Sequence, residues 1–550
     1  MKLYFSETLS IDKFEGVHLL QDHIGTNYHA PWDDFGFVIT FQVWYVNEKK
    51  NKNRLGNIKL LSKNTNDTST LLKNKKFVVS EKIYDISNIL NPDNFISIGE
   101  DINYYKIINS IYISPINEKY LELVCDIGYY HNNIEKYQTW DGYDGSFMRG
   151  SSSDAILKKG FQTALGRYKA NKNFKLKIDN LGDTFEPITF NFDERKIGKS
   201  NICLLIGKNG VGKSHLLKEI CHIITGLNNN NSEIPAFNKL IVIAYSPFES
   251  FFSYKQIFDL INQKFSQENT KSNRKSLERK RLHINEYCYI GFKNEEGVFD
   301  LNYPAMRSIT SILKIIKYDQ DNNWWKEEKT RLTILKETLK LCMDFDDIYI
   351  KTSDNNEIII SDDLRLKKIK DFEIDYSTGL IFKKGEKNIN LSSGQKIYSY
   401  ILPAIMSEIE EESLLIIDEP ELYLHPELEV NLINMIKNIL NETDSYSIIA
   451  THSSIIAREV GRESINILRK EDNITKSYLA SIETYGESIE NIISEIFDDN
   501  YIKKPFQNEI DKFINSENFS LDIAKKLIGN EALIHILTQK KIKKLNIIEE

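Results

Sequence analysis

Gly207-Lys208-Asn209-Gly210-Val211-Gly212-Lys213-Ser214 decides how the rest of this chain is read. The spacing is G-x-x-x-x-G-K-[ST]. The apolar run Ile202-Cys203-Leu204-Leu205-Ile206 precedes it as a strand, and an amphipathic helix follows over about 213–225, the context such a loop needs. Glycines let the backbone N–H groups curl around phosphate oxygens where a Cβ would block the approach. The helix N-terminus adds the positive end of its dipole. In such a loop Lys213 reaches the β- and γ-phosphates of ATP, and the Ser214 hydroxyl ligates Mg²⁺.

Working outward, Leu414-Leu415-Ile416-Ile417 reads as a buried strand ending in two carboxylates, Asp418 and Glu419. Oxygen donors of this kind suit Mg²⁺, commonly through water, which makes Asp418 the second metal ligand. Glu419 is placed to orient or deprotonate an attacking water, help worth typically about 10²–10⁴-fold. Such a strand end says little alone and much more with the phosphate loop upstream. A further strand over 446–450 runs into Thr451-His452. Before Asp418, the segment Asn390-Leu391-Ser392-Ser393-Gly394-Gln395 leads into a helical stretch. Serine there is also a favoured N-cap, so this segment has an ordinary structural reading too.

In this order the pieces resemble the nucleotide-binding unit of ABC-type ATPases over about 174–475. Leu391–Gln395 is similar to the LSGGQ signature, with Ser393 in place of one glycine. The resemblance implies an α/β, P-loop fold with a helical insert lobe. It also implies a head-to-tail homodimer that sandwiches two ATP molecules. Ser392, Ser393, Gly394 and Gln395 would then face the γ-phosphate held by the partner, with Ser392 and the Gly394 amide as trans ligands. His452 would be the switch histidine. Glu421-Leu422-Tyr423-Leu424-His425-Pro426, after Asp418-Glu419, looks like the DEPExxLHP form of RecF- and OLD-like ATPases, where the dimer-facing D-loop lies. Tyr245-Ser246-Pro247-Phe248-Glu249 follows the right strand for a Q-loop but offers no glutamine.

The interval from Ser214 to Leu391 is too short for a long SMC-type coiled coil and suits a compact lobe. One nucleotide unit disfavours the translation-factor branch. The stretch after His452 lacks the acidic motif set of a Toprim nuclease. The strings IVIAYSPFESF (241–251), YCYIGFK (287–293), DEPELYLHP (418–426) and TYGESIENIISEIF (484–497) resemble PtuA, the ATPase of Septu and retron anti-phage systems. That resemblance implies a separate HNH nuclease partner, PtuB, and in retrons a reverse transcriptase with its msDNA. No nuclease chemistry is expected in this chain. Two other readings remain open: a RecF/SMC-like repair ATPase that clamps DNA, and a scaffold in which ATP is structural glue.

Composition agrees with a globular protein: 550 residues, 41% hydrophobic and 27% charged. With 71 basic and 79 acidic side chains the net charge is −8, which argues against coating nucleic acid with the whole surface. No run approaches the ~20 apolar residues of a membrane span, and no secretion signal opens the chain. The five cysteines form no CxxC pair, so reduced thiols in a cytoplasmic protein are expected. The expected organisation is a β-rich region (1–172), the ATPase domain in two parts (173–256 and 386–475), a helical insert (257–385) and a helical end (476–550). In the first region a hairpin runs from Phe37 through a polar tip at 47–54, with further strands at 77–79 and 120–124. A basic run (Lys271, Arg274, Lys275, Arg279, Lys280, Arg281) reads as a solvated helix face or a phosphate-contacting patch. Trp324-Trp325 reads as lobe packing or a base stack. Lys158, Lys159, Arg167, Lys169 and Lys172 are equally two-sided.

Overall fold

The hairpin beginning near Phe37 is the middle of the first sheet. Strands β1 (Leu3–Ser6), β2 (Gly16–Gln21), β3 (Thr40–Val46), β4 (Lys52–Ser62), β5 (Val78–Ser80), β6 (Ile83–Asp85) and β7 (Phe95–Gly99) lie in the order β5-β6-β1-β2-β3-β4-β7. This computed structural model describes residues 1–26, 28–34, 36–73, 77–111, 116–149, 153–170, 172–193, 201–228, 230, 232, 234–235, 237–267, 287–322, 329–362, 364, 373–422, 424–497, 504–514, 525 and 527–546. The basic run from Lys271 to Arg281 and Trp324-Trp325 lie outside the described residues.

After α1 (Thr68–Leu72) come α2 (Ile102–Ile111), α3 (Ile116–Leu123), α4 (Ile134–Tyr137) and α5 (Ser153–Ala164). α2 and α5 pack on β4 and β7 around a core that includes Phe41, Leu60, Tyr104 and Tyr105. α3 stands where sequence favours a strand at 120–124. Its buried residues Asn117, Tyr120 and Leu121 share a helix face. The Tyr120 hydroxyl lies 2.8 Å from that of Tyr104. The aromatic and β-branched content that favours a strand here serves a helix buried along one side.

β8 (Asn173–Ile178) and β9 (Ile188–Asp193) form a hairpin ahead of β10 (Ile202–Gly207). Then come α6 (Lys213–Ile224), β11 (Leu240–Ala244), α7 (Tyr254–Gln267) and β12 (Tyr287–Gly291). The insert holds α8 (Tyr303–Asn322) and α9 (Arg331–Leu339). It also holds a four-stranded antiparallel sheet, which sequence does not announce. Its strands are β13 (Asp347–Lys351), β14 (Glu357–Ile359), β15 (Ile381–Lys384) and β16 (Lys387–Asn388), in the order β14-β13-β15-β16. β13 alternates with Ile348 and Ile350 buried, but β14 and β16 are too short and polar to show a period of two beside it. α10 (Ser393–Glu408) then packs along α8.

β17 (Leu414–Asp418), α11 (Pro426–Glu442), β18 (Tyr446–Thr451), α12 (Ser454–Arg458), β19 (Ile465–Glu471) and β20 (Ile474–Leu479) complete the main sheet, ordered β12-β11-β17-β18-β10-β19-β20. All its neighbours are parallel except β19 and β20. β10, β11, β17 and β18 are buried along their whole length, as strands covered on both faces must be. α13 (Ile489–Ile496) packs on α12, and α14 (Pro505–Ile514) pairs with α15 (Asn530–Asn546) around Ile510 and Ile536. All five cysteines are free, four of them buried. No helix of the described residues is long and apolar enough to cross a membrane.

The N-terminal region grips the turn between α10 and β17. Lys159 pairs with Glu412 at 2.8 Å, the Tyr168 hydroxyl donates to both Glu412 oxygens (2.9 and 2.8 Å), Lys106 pairs with Glu411, and Lys172 with Asp444 at 2.5 Å. Lys159 is therefore spent inside the fold rather than offered as a nucleic-acid patch, while Lys172 is paired at the surface. Replacing Glu412 by Ala removes the acceptor of a half-buried hydroxyl and a partner of a buried lysine. A loss of about 2–4 kcal/mol follows. The first thermal transition should drop by several degrees, and less in Glu412→Gln, which still accepts from Tyr168.

Candidate functional site

The phosphate loop owes its shape to two glycines with positive φ, Gly210 (+79°) and Gly212 (+98°). Gly207 is needed for space, because a Cβ there would lie 2.8 Å from the Leu468 carbonyl oxygen. The loop is pinned from behind by Thr475, whose hydroxyl donates to the Val211 carbonyl at 2.9 Å. Lys208, Asn209 and Gly210 are exposed. No side chain caps the N-terminus of α6, which leaves its first N–H groups facing the loop's concavity.

Strand register assembles the remainder. Asp418 on β17 stands opposite Ala450 on β18, and Ile206 on β10 stands opposite Thr451. β18 thus lies between the two strands that sequence marks, and residues just past all three meet at one edge of the sheet. Ser214 Oγ donates to Asp418 Oδ1 at 3.1 Å. Lys213 Nζ donates to the Gly207 carbonyl at 3.2 Å and contacts His452 Nε2. A charged Lys213 has no acceptor, so beside it Nε2 serves as the unprotonated nitrogen of a neutral imidazole. Burial, then Lys213, pushes the His452 pKa down, against Glu419. Glu419 Oε1 stands 3.6 Å from the same nitrogen. Burial likewise pushes Lys213 down, opposed by Glu419, Asp418 and Glu421.

Glu419 adopts φ +47°, a conformation uncommon outside glycine, and its N–H donates to the Ala450 carbonyl at 2.9 Å. A backbone held in this region is strained by roughly 1–3 kcal/mol and turns the side chain out of the strand direction. Asp418 is 4% exposed, and burial raises its pKa to about 7, with Ser214 lowering it and Glu419 raising it. Ser214 and Asp418 form a hard oxygen pair that fits Mg²⁺. Among the described residues no cluster of three or more His, Cys, Asp or Glu side chains is placed to hold a metal.

The Asp418 shift has a defined sign. Its folded pKa lies above the ordinary 3.8 of an aspartate carboxyl, so the stability this carboxyl contributes is present below about pH 4 and is lost as pH rises through about 7. Mg²⁺ needs the ionised form and must displace a proton below that point. Magnesium affinity should therefore weaken as pH falls below about 7, approaching tenfold per unit. Calorimetry in two buffers of different ionisation enthalpy should show proton release at pH 6.5 and little at pH 8.5.

The signature segment lies apart from this cluster. Ser392 caps α10 through a reciprocal box with Gln395: Gln395 N–H donates to Ser392 Oγ (3.3 Å) and Ser392 N–H to Gln395 Oε1 (3.0 Å). Gln395 Nε2 also donates to the Cys342 carbonyl at 2.9 Å. Ser392 and Ser393 are exposed and Gly394 is buried. Among the described residues no hydrogen bond or ion pair joins 391–395 to the phosphate loop or to 418–421. Glu249, after β11, turns inward, held by Tyr289 (2.9 Å), Lys293 (2.8 Å) and the Phe251 N–H (2.7 Å), while Phe248 beside it is 93% exposed. The residue absent from the sequence-derived site is Glu421, whose Oε1 accepts the His452 N–H at 2.6 Å. Its only sequence signal is its place in the DEPE string.

A phosphate loop on β10, an acidic pair on β17 with β18 between, and a capped helix at the signature segment give the P-loop fold and site arrangement of ABC-type ATPases. A family model described as "AAA domain, putative AbiEii toxin, Type IV TA system" matches residues 291–458, which take in the signature, Asp418, Glu419 and His452 but not the phosphate loop. The chain is similar to Septu protein PtuA of Bacillus thuringiensis, at 24% identity over 392 residues, 62% of this chain and 89% of that one. It is also similar to protein ea59 of Escherichia phage lambda, at 23% identity over 499 residues, 85% of this chain and 84% of that one. Solved structures that match include an SMC head bound to the C-terminal winged-helix domain of ScpA (13% identity, TM-score 0.31, 57% of this chain and 98% of that one). An ATP-binding cassette of an ABC transporter in its ADP conformation matches at 12% identity and TM-score 0.26, over 59% of this chain and 96% of that one. The class rests on the topology and the site rather than on these scores.

Proposed function

We propose that this protein is an ATP-hydrolysing subunit of an anti-phage system, closing as a head-to-tail homodimer around two Mg²⁺–ATP and gating a partner HNH nuclease. The observation that carries the reading is a division of labour. Lys213, Ser214, Asp418, Glu419 and His452 meet at one sheet edge, while exposed Ser392 and Ser393 stand apart, available to a second chain.

In this reading Gly207–Gly212 and Lys213 hold the phosphates, and Ser214 and Asp418 hold Mg²⁺, which supplies charge neutralisation on the phosphoryl group. Glu419 orients the attacking water and takes its proton. His452 reports the γ-phosphate once Lys213 leaves it for the nucleotide. Ser392 and the Gly394 amide, with Ser393 and Gln395 beside them, complete the partner's pocket. The region 1–172, the split ATPase domain (173–256 and 386–475), the insert 257–385 and the end 476–550 act as separate functional parts. The similarity to PtuA supports a PtuB-like nuclease as partner, with a reverse transcriptase and msDNA in a retron setting, and a cytoplasmic location.

The test is co-expression of the full chain with the HNH protein encoded beside it. Recovery of a complex whose DNA cleavage responds to ATP concentration supports the reading. A chain that binds no nuclease yet retains circular DNA in an ATP-dependent, salt-resistant manner would instead be a DNA clamp.

A further inference from the structure

Glu421 lies three residues past Asp418, beyond Pro420, and folds back toward the end of β18. Its Oε1 accepts the His452 backbone N–H at 2.6 Å, and its own carbonyl accepts the Leu424 N–H at 3.0 Å, which closes the turn. Oε2 is buried. Burial raises the carboxyl's pKa, while the His452 N–H and the Thr451 hydroxyl favour the charged form and Glu419 opposes it. The electrostatic reach of Glu421 extends to Lys213 and Asp418.

Two features make this more than a turn contact. The bond fixes the peptide that aims the His452 ring, and that ring is the group lying between Lys213 and Glu419. The Thr451 hydroxyl is a second donor, from the residue before His452, so the carboxylate grips both residues at the end of β18. A turn that needed only an acceptor for one N–H would be served by Asn, Gln or Ser.

We propose that Glu421 is a positioning residue of the hydrolytic site. Its carboxylate holds the His452 main chain so that the ring faces Lys213. The inference rests on reading the site as a Mg²⁺-dependent nucleotide hydrolase. It adds a carboxylate that touches neither phosphate nor metal directly.

Glu421→Ala and Glu421→Gln separate the two oxygens. Gln keeps an acceptor for the His452 N–H but places an amide donor where Oε2 stood. In nucleotide-free, histidine-labelled full chain, with the His452 resonance assigned through His452→Gln, that resonance should shift in Glu421→Ala and stay in Glu421→Gln. In turnover, Glu421→Ala should lose about 100-fold in kcat and Glu421→Gln about tenfold, both with KM for ATP within about threefold, each tenfold being worth about 1.4 kcal/mol. Adding Glu421→Ala to His452→Ala should cost less than about threefold further. An unmoved His452 resonance in Glu421→Ala, or full multiplicative losses in the double variant, overturns the positioning role. If wild type itself fails to hydrolyse ATP, the hydrolase reading fails, while the nucleotide-free resonance still decides whether Glu421 sets His452.

Discussion

Glu419→Gln is expected to lower ATP turnover by about 10²–10⁴-fold while leaving nucleotide affinity within a few-fold of wild type. Glutamine has the same length and tolerates the φ of +47° as glutamate does. Its amide can still touch water but cannot take a proton. Lys213, Ser214 and Asp418, the proposed holders of phosphates and metal, are unchanged. The loss should therefore fall on kcat rather than KM, the pattern of an interaction made in the transition state. It should also trap the dimer, since the closed state outlives its hydrolysis. Steady-state kinetics and light scattering with ATP check both halves. Equal, negligible rates in wild type and variant would leave ATP as structural glue and remove hydrolysis from the account.

The second large effect follows from separation within one chain. Lys213→Ala disables a chain's own phosphate pocket, and Ser393→Arg obstructs its signature. Ser393 is exposed at the first turn of α10 and is not the capping residue, so the helix should survive that substitution. Each variant alone should lose at least about 100-fold in turnover, as expected when a charged phosphate contact or a whole trans surface is removed. Co-expressed with different tags, they form a mixed dimer. In it the intact pocket of one chain faces the intact signature of the other. A random mixture should then recover up to roughly a quarter of wild-type turnover, because half the dimers are mixed and each holds one complete site. A mixture no faster than its parts would mean that each chain completes its own pocket.

Much of this site is legible in sequence because its parts are local. The loop from Gly207 to Ser214 needs glycine at positive φ and a helix start, both settled by neighbouring residues. The apolar run before Asp418 marks a doubly buried strand in the same way. Tyr120 and Val124 show the limit: short apolar pieces fit either period, and only packing against Tyr104 and its neighbours selects the helix. The four-stranded sheet of the insert is hidden for a related reason, as β14 and β16 are too short to carry a pattern. Lys159 reads as a free surface charge until Glu412, far along the chain, is seen to face it.

Sequence alone determined the local form of the phosphate loop, the acidic strand end and the serine-capped helix, since each depends on residues within a few positions of one another. Only the tertiary structure decided that β18 inserts between β10 and β17. That order brings His452 onto Lys213 and Glu421 onto the His452 main chain, while leaving the signature for another surface. Parallel strands joined by long crossovers carry no local record of their order, so the partners of a buried charge are settled when the sheet closes.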